Sequence, residues 1–559
     1  MTCCRAAAYV LGGRALSDNK NQNYLHGAAI LTAGVVIMKI LGALYKIPLG
    51  NILGDDGYGY FLTAYNIYNI FLTLATAGLP VALSRMISEA NTLGRPMQAR
   101  RTFNVAVVTF AAVGTVGTVI MYLLPAELAI AMNSPKSAQS IWALSPAVLL
   151  CCLLSAYRGY CQGHGNMTPT TIGQVLEVVV KVIVGFTLAL MFTRQGKSLP
   201  ICSAGATFGV TVGSLAAVLY MFWYKNRNYK YGPVENPDTP SPVIQILMQL
   251  LRIGIPITLG ASVMSLFTLI DNKLVLYQLQ MSAGFTEQEA EVLWGVYGKA
   301  MTLYNLPAAF ITPLTISVVP SIAACVASKR HIEGCEIGES SIRIGALICA
   351  PMGVGLAVLS TPIMKLVYPS AHASGGQLLL YMGIAAVFVC MALISNAVLQ
   401  AHGNEKLPVI SMIAGGAAKV ALNWVLVGNP RINITGAPIG TICCYGVMCV
   451  LNYIFLCRCM ERPPRLARTL LRPVVSCALM GAAAWGVFGI ADMLLSGVTG
   501  PGSGRLSAEW ITTAISAAAA IGVAVIVYVV MIIALRAVTL EDMKLIPKGE
   551  KIARLLRIR

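Results

Sequence analysis

Charged residues are scarce in this chain of 559 residues, where Asp, Glu, Lys and Arg together make up 11%. A typical soluble domain carries about 25% charged residues, and a disordered chain is poor in apolar ones. The composition therefore excludes both classes. Apolar residues, at 57%, fall in long continuous runs and not in the alternating pattern of an outer-membrane barrel. We expect an all-α membrane protein that crosses the bilayer many times.

Acidic residues are the scarcer charge, with 22 Asp and Glu against 40 Lys and Arg and a net charge of +18. In a soluble chain this excess would suggest a nucleic-acid partner. In a membrane protein the cytoplasmic loops alone account for it, so no nucleic acid is expected. The pattern of a secretory signal is also missing, because the apolar run at 6–11 is short and a polar stretch follows it.

Metal-binding and disulfide patterns are missing as well. No CxxC pair among the 16 cysteines faces a second one, and Cys325, His331 and Cys335 have no fourth ligand nearby. A free cysteine behaves as a small apolar residue. We therefore expect no cofactor, and we assign no catalytic residue.

Fourteen apolar runs are long enough to cross a membrane, which takes about 20 residues per helix. They lie near 27–49, 60–84, 103–124, 139–160, 171–193, 202–224, 247–275, 295–323, 342–361, 377–399, 407–427, 435–456, 473–495 and 509–535. With the N-terminus inside, most Lys and Arg fall on the cytoplasmic side, as the positive-inside rule requires. We predict fourteen membrane helices with both termini cytoplasmic.

An internal repeat relates the two halves of the chain at a constant offset of 238 residues. Gln162, His164, Gly165, Asn166 and Lys181 recur as Gln400, His402, Gly403, Asn404 and Lys419. Each set begins in a loop after an even-numbered span and ends inside the next span. The pattern predicts two six-helix repeats in the same orientation, followed by two C-terminal helices. Parallel repeats of this kind are typical of transporters that rock two halves around a central site.

The resulting domain organisation has five segments. It comprises a cytoplasmic tail (1–26), a first six-helix lobe (27–232), a second six-helix lobe (243–459), two additional C-terminal spans (470–536) and a basic cytoplasmic tail (537–559). The proline-rich linker Lys225–Pro242 between the lobes is expected to act as a hinge. The basic tail is expected to meet anionic lipid head groups.

Ionisable and amide side chains inside the spans indicate a binding site, since a charge in the bilayer is costly and usually faces a cavity or a partner. The candidate substrate-binding residues are Lys39 and Lys46 in span one, Asn66 and Asn69 in span two, and Lys299 and Asn305 in span eight. Together they would form a basic, polar cavity wall suited to an anionic solute rich in hydroxyls. The alternative is that Lys46 and Lys299 only extend to the interface.

Three further positions have predicted roles. Glu177 and Lys181, four residues apart in span five, are expected to form an ion pair, whereas Lys419 has Gly415 where its acidic partner would stand. Asp271 is the best candidate for binding a coupling cation. His164 and His402 are expected to form hydrogen bonds at turns.

The sequence also resembles a known family. The motifs are Lys39–Gly42, Leu53–Gly57 and Ala77–Ala82 in the first half and Ile253–Gly260 in the second. They are similar to those of stage V sporulation protein B and MurJ-like polysaccharide transporters, in the multidrug/oligosaccharidyl-lipid/polysaccharide (MOP) exporter superfamily. The MurJ branch lines its cavity with arginines on spans one, two and eight. In this sequence Lys39 on span one and Lys299 on span eight stand at two of those three places.

The resemblance implies a flippase in the bacterial inner membrane for lipid-linked wall precursors such as lipid II. Its substrate would be a glycan linked to undecaprenyl diphosphate, and a coupling cation or the membrane potential would assist transport. The resemblance also implies that spans thirteen and fourteen help to form a groove for the lipid tail.

Two alternatives remain open at the level of sequence. The first is a cation-coupled multidrug exporter of the same superfamily, whose site would favour carboxylates over lysines. The second is a membrane glycosyltransferase that uses polyprenyl-phosphate sugars, with Asp55 and Asp56 in the first external loop as its carboxylates. Gly54 and Gly57 flank this pair, so a turn explains it equally well. We expect a transporter that works by alternating access, and not an enzyme.

Overall fold

The computed structural model describes residues 2–229, 238–460, 462, 466–496 and 505–535, and most residues before Leu44 only by their backbone. The described part is helical and contains no strand. The helices are α1 (Thr2–Thr76), α2 (Leu79–Thr92), α3 (Pro96–Leu123), α4 (Pro125–Ala131), α5 (Ala138–Gly163), α6 (Thr168–Arg194), α7 (Leu199–Asn228), α8 (Val243–Met281), α9 (Glu287–Ala327), α10 (His331–Val358), α11 (Ser360–Val367), α12 (Gly375–Ala401), α13 (Lys406–Val427), α14 (Gly436–Cys459), α15 (Leu466–Ser496) and α16 (Arg505–Ala534).

Twelve helical stretches among the described residues are long and apolar enough to cross a membrane. The all-helical, multi-pass class is therefore confirmed, whereas the count of fourteen stays a prediction. Two predicted spans are interrupted, since α1 ends before Ala77 and Gly78, and α10 ends before Leu359. The predicted tail at 1–26 is helical from Thr2, and the predicted basic tail at 537–559 lies outside the described residues.

The predicted first external loop is a sharp bend within α1. Gly54 has φ 70° and ψ −166°, while the residues on both sides are helical. A left-handed φ of this kind is costly for a residue with a Cβ, which explains the glycine. We call the end of the helices that carries this bend the Asp55 face. The opposite end, where α7 ends and α8 begins, is the linker face.

The repeated motif forms the same helix end twice. Gly165 after α5 and Gly403 after α12 have φ angles of 75° and 82°, which is the left-handed end that commonly terminates a helix. His164 Nδ1 lies 3.0 Å from the carbonyl oxygen of Tyr160, and His402 Nδ1 lies 2.8 Å from that of Val398. Both predicted turn histidines therefore hydrogen-bond the last helical turn.

Helices α1–α7, here called the first half, and α8–α14, the second half, meet mainly where α1 packs against α9 and α8. The closest approaches use glycine. A Cβ on Gly295 of α9 would collide with the carbonyl oxygen of Asp55, and one on Gly78 would collide with that of Gly254 in α8. Helices α15 and α16 pack on each other, and α15 also packs on α10.

Candidate functional site

A cavity of about 310 Å³ lies between the two halves. The first half contributes Lys46 from α1 and Lys181 from α6, together with the aromatic ring of Tyr65. The second half contributes Thr302 and Asn305 of α9. No carboxylate is among the described residues that line the cavity, so its wall is cationic on one side and neutral but polar on the other.

Lys46 is half-buried in this wall. Its Nζ lies 5.6 Å from the centre of the Tyr65 ring, within the range of a cation–π contact. No carboxylate contacts it among the described residues, so its charge is available to an anion in the cavity. Lys39 is placed on α1 by its backbone, and its side chain lies outside the described residues.

The predicted ion pair between Glu177 and Lys181 is wrong. The carboxylate of Glu177 instead accepts hydrogen bonds from Arg158 Nη2 at 2.7 Å and from Ser214 Oγ at 3.1 Å. These donors lie on the neighbouring helices α5 and α7. With both oxygens of Glu177 already engaged, Lys181 faces the cavity. Sequence reasoning missed this cavity residue because a rule for pairs on one helix cannot see an arginine on another helix.

Lys299 is fully buried and does not line the cavity. Its Nζ lies 2.5 Å from Oδ1 of Asp55 and 5.3 Å from the centre of the Tyr368 ring. The other carboxylate oxygen of Asp55 accepts the backbone N–H of His372 at 2.9 Å. Asp55 of the first half is thus tied to two segments of the second half at the Asp55 face.

The polar residues predicted on span two lie along the boundary between α1 and α8. Thr73 shares a hydrogen bond of 2.7 Å with Ser265 of α8, and Asn66 is buried. Asn66 and Asn69 are not among the residues that line the cavity. The amide group of Asn305 does line it and donates one hydrogen bond of 2.7 Å to the carbonyl of Met301.

Asp271, the predicted ligand of a coupling cation, forms an ion pair with a lysine side chain of the protein. Lys419 Nζ lies 2.7 Å from Oδ2, and Asn423 Nδ2 lies 2.5 Å from Oδ1. The expectation that Lys419 has no acidic partner is therefore wrong, because α8 supplies one. Among the described residues, no group of three His, Cys, Asp or Glu side chains is placed to hold a metal ion, and the described cysteines are free.

Comparison with known proteins places the chain in a family. The family described as "Polysaccharide biosynthesis protein" matches residues 24–326. The "Lipid II flippase MurJ" of Bacillus subtilis (strain 168) is 26% identical over 479 residues, which cover 82% of this chain and 87% of that protein. "Stage V sporulation protein B" of the same organism is 25% identical over 440 residues, covering 75% and 81%.

Solved structures show the same fold. A structure of "Lipid II flippase MurJ, inward closed conformation" aligns with a TM-score of 0.64 at 13% identity, covering 90% of this chain and 98% of that one. An inward-facing multidrug resistance MATE family transporter of the MOP superfamily aligns with a TM-score of 0.61 at 17% identity, covering 76% and 97%. At these identities the likeness concerns the fold alone. The chain belongs to the polysaccharide biosynthesis protein family, among the relatives of stage V sporulation protein B and MurJ, and it has the MOP-superfamily fold.

Proposed function

We propose that this protein is a flippase that moves a lipid-linked cell-wall or polysaccharide precursor, similar to lipid II, across the bacterial inner membrane. The observation that carries the proposal is the cavity between the two halves, whose charged lining residues, among those the structure describes, are Lys46 and Lys181. Two ammonium groups held in a low-dielectric wall attract an anion such as a diphosphate. The neutral hydroxyl and amide groups of α9 suit the sugar that follows it.

The way in which the halves are joined supports alternating access. At the Asp55 face, Asp55 pairs with Lys299, Asn51 Nδ2 donates to the carbonyl of Val367 at 2.9 Å, and Gln280 Nε2 donates to that of Asn133 at 2.8 Å. We propose that these contacts close the outer end of the cavity and that two parallel six-helix lobes, within fourteen membrane helices, rock to break them. Lys299 thereby acts in closure in this state and not as a cavity ligand.

The membrane potential supplies a driving force. The positive-inside rule places the linker face and both termini in the cytoplasm. An anion that moves outward through an inside-negative potential gains about 2.3 kcal/mol per charge per 100 mV. Export of a diphosphate headgroup is therefore favoured without chemical work by the protein.

The two rival functions fit the site less well. A MATE-like exporter of cationic drugs shares the fold, but its substrates would be repelled by two lysines in the lining. A glycosyltransferase that uses Asp55 as a base would need a free carboxylate, and both oxygens of Asp55 are engaged.

A flipping assay in vesicles tests the proposal. Purified protein is reconstituted with fluorescent lipid II, or with another undecaprenyl-diphosphate-linked glycan, and exposure of the headgroup is followed with a membrane-impermeant quencher. We expect wild type to flip at least one of these lipids well above protein-free vesicles. Lys46→Gln should be at least ~10-fold slower at equal protein content. Transport of a cationic dye without any lipid flipping, or sugar transfer by the purified protein, would overturn the proposal.

A further inference from the structure

One face of α9 carries two buried ionisable side chains that pack towards α1. Glu291 and Lys299 lie about two turns apart on the helix, with Gly295 midway between them. A Cβ on Gly295 would collide with the carbonyl oxygen of Asp55. A Cβ on Gly59 would lie 2.7 Å from Oε2 of Glu291. Glu291 therefore belongs to the contact between the two halves at the Asp55 face.

The two side chains differ in how their charges are balanced. Lys299 is paired with the carboxylate of Asp55 at 2.5 Å. Glu291 is also fully buried, yet neither of its carboxylate oxygens forms a hydrogen bond of normal geometry within the described part of the chain. An ionised carboxylate without a cation is costly in such a place. A protonated carboxyl group carries no charge and avoids most of that cost.

The groups that act electrostatically on Glu291 are mostly acidic. Asp56 on α1 and Glu287, one turn earlier on α9, oppose its ionisation, and the phenol of Tyr60 lies close by on α1. Lys136, in the short segment after α4, favours ionisation, but its side chain is exposed and therefore screened by solvent. Glu291 precedes the span predicted at 295–323. Burial, together with the two carboxylates, raises the pKa of Glu291 to about 8.

A hydroxyl group is placed to stabilise the protonated form. Ser134 is fully buried after α4, and its Oγ faces the carboxyl group of Glu291 without completing a hydrogen bond of normal geometry. A single neutral hydroxyl group does not balance a buried negative charge. It can, however, accept a hydrogen bond from the O–H of a protonated carboxyl group, which a carboxylate lacks. The surroundings of Glu291 therefore suit the acid form.

Separation of the two halves would change these surroundings. Glu291 is buried against α1, so movement of α9 away from α1 would expose the carboxyl group to water. The ordinary pKa of an exposed glutamate is about 4.3. The closed arrangement therefore binds a proton more tightly than an open one. Between the two pKa values, the ratio of open to closed protein rises by up to about tenfold per pH unit.

We propose that Glu291 is a proton-binding site of the closed Asp55 face, which takes up one proton when the halves close and releases it to the outer solution when they part. This inference rests on the alternating access of the proposed function and adds a regulation by external pH. Acid outside holds the cavity closed, and a rising pH favours opening. The pair of Asp55 and Lys299 supplies a contact that does not depend on this proton.

Cysteine labelling in intact cells tests the site. The reporter is Asn305→Cys in the cavity lining, and its labelling rate with a membrane-impermeant maleimide is divided by that of Gln195→Cys, which is exposed after α6. This ratio cancels the direct effect of pH on thiol reactivity. We expect it to rise by ~10-fold or more from external pH 6 to pH 8. Glu291→Gln, which is permanently neutral, should keep the low ratio at both pH values, whereas mere loosening of the interface would raise it.

Three control variants separate titration from damage to the fold. Glu289→Gln changes an exposed acid on the same helix, and glutamine can keep the capping box with Thr286, so its response to pH should match wild type. Lys136→Gln removes the cation that acts on Glu291, so opening should require a higher pH. Glu287→Gln removes an anion, so opening should occur at a lower pH.

Each result supports or overturns the site. A wild type whose ratio does not depend on pH, or a pH response that persists in Glu291→Gln, would overturn it. If Glu291→Gln does not reach the membrane, opposite shifts in Lys136→Gln and Glu287→Gln support the site, and the absence of opposite shifts overturns it. A ratio near zero at every pH, even in Lys299→Gln, would overturn alternating access through the Asp55 face and this inference with it. Opening that ignores pH would overturn the proton site alone.

Discussion

The ammonium group of Lys299 lies 2.5 Å from the carboxylate of Asp55, although 244 residues separate them. The lysine is completely buried, and the aspartate side chain is 10% exposed. Removal of one partner from a buried pair costs about 3–5 kcal/mol, because the other charge is left uncompensated. This ion pair therefore couples the two halves at the Asp55 face, since loss of either charge leaves the other buried and uncompensated.

The first prediction concerns this link. The substitution Asn305→Cys places a thiol in the cavity lining. In intact cells, the rate at which a membrane-impermeant maleimide labels this thiol measures how often the cavity is open to the outside. We expect Lys299→Gln to raise the labelling rate of that cysteine by ~10-fold or more, because the Asp55 face then opens more often. The double variant Asp55→Asn, Lys299→Gln removes both charges and should be labelled more slowly than Lys299→Gln alone.

A cysteine at Gln195, which is exposed on the loop after α6, is the matched control. It should be labelled equally in every background, which also tests whether the Asp55 face is external. Labelling of the Asn305 cysteine at the wild-type rate in Lys299→Gln would show that the ion pair does not hold the cavity closed.

The sequence predicts well those features that depend on local patterns. Hydrophobic runs located the helices, and the repeated glycines at 165 and 403 marked two matching helix ends. The sequence predicts a loop at Gly54, where the structure has a sharp bend within one helix. A loop and a single left-handed residue between two helical segments both favour glycine, so the sequence does not distinguish them.

The ionic partners could not be predicted from such patterns. Glu177 had a lysine at the ideal spacing on its own helix, yet an arginine on α5 is its partner. Lys299 and Asp55 belong to different halves, and no periodicity relates them. Three-dimensional packing therefore decides which lysine faces the cavity, and no pattern in the sequence indicates that Lys181 does.

The second prediction uses Arg158, which does not line the cavity. Arg158→Gln leaves Glu177 without its cation, and the nearest replacement is Lys181 one turn further along α6. We expect the variant to bind inorganic pyrophosphate ~10-fold more weakly than wild type, as Lys181 is drawn to Glu177. The double variant Arg158→Gln, Glu177→Gln should recover most of the affinity. If both variants bind as wild type, the charge on Glu177 does not control Lys181.

The third prediction concerns pH. His164, at the end of α5 on the linker face, packs against Tyr160 and Tyr229 with ring centroids 4.4 and 4.8 Å away. Burial lowers the pKa of His164 below its ordinary value of about 6.5. The unfolded chain therefore takes up a proton more readily, so folded-state stability is complete above pH 6.5 and falls as the pH drops towards the lower pKa.

Thermal unfolding in detergent checks this sign. Between pH 7.5 and 5.5 the melting temperature of wild type should fall by more than that of His164→Gln, which lacks the titrating group but keeps a polar side chain. An equal fall in both proteins would show that His164 does not contribute to the acid sensitivity.

The last prediction concerns ion coupling. The sequence predicts Asp271 as the best candidate for binding a coupling cation. In the structure, however, its two carboxylate oxygens accept hydrogen bonds from Lys419 and Asn423. A sodium ion would have to displace the ammonium group of Lys419, which is tethered to the protein and lies 2.7 Å from the carboxylate. We therefore expect flipping by wild type to be unchanged, within about twofold, when sodium is replaced by choline at constant membrane potential.

Variants of Lys419 show whether its ammonium group is what prevents sodium from binding at Asp271. Lys419→Ala leaves the buried carboxylate of Asp271 uncompensated, so this protein should be less stable and should gain thermal stability from added sodium, which wild type should not. The double variant Asp271→Asn, Lys419→Ala carries no charge at the site and should lose the sodium effect. A requirement of wild-type transport for sodium would show that the coupling cation binds at a site other than Asp271. Equal stabilisation of the double variant and of Lys419→Ala by sodium would show that the stabilising sodium ion does not bind at Asp271.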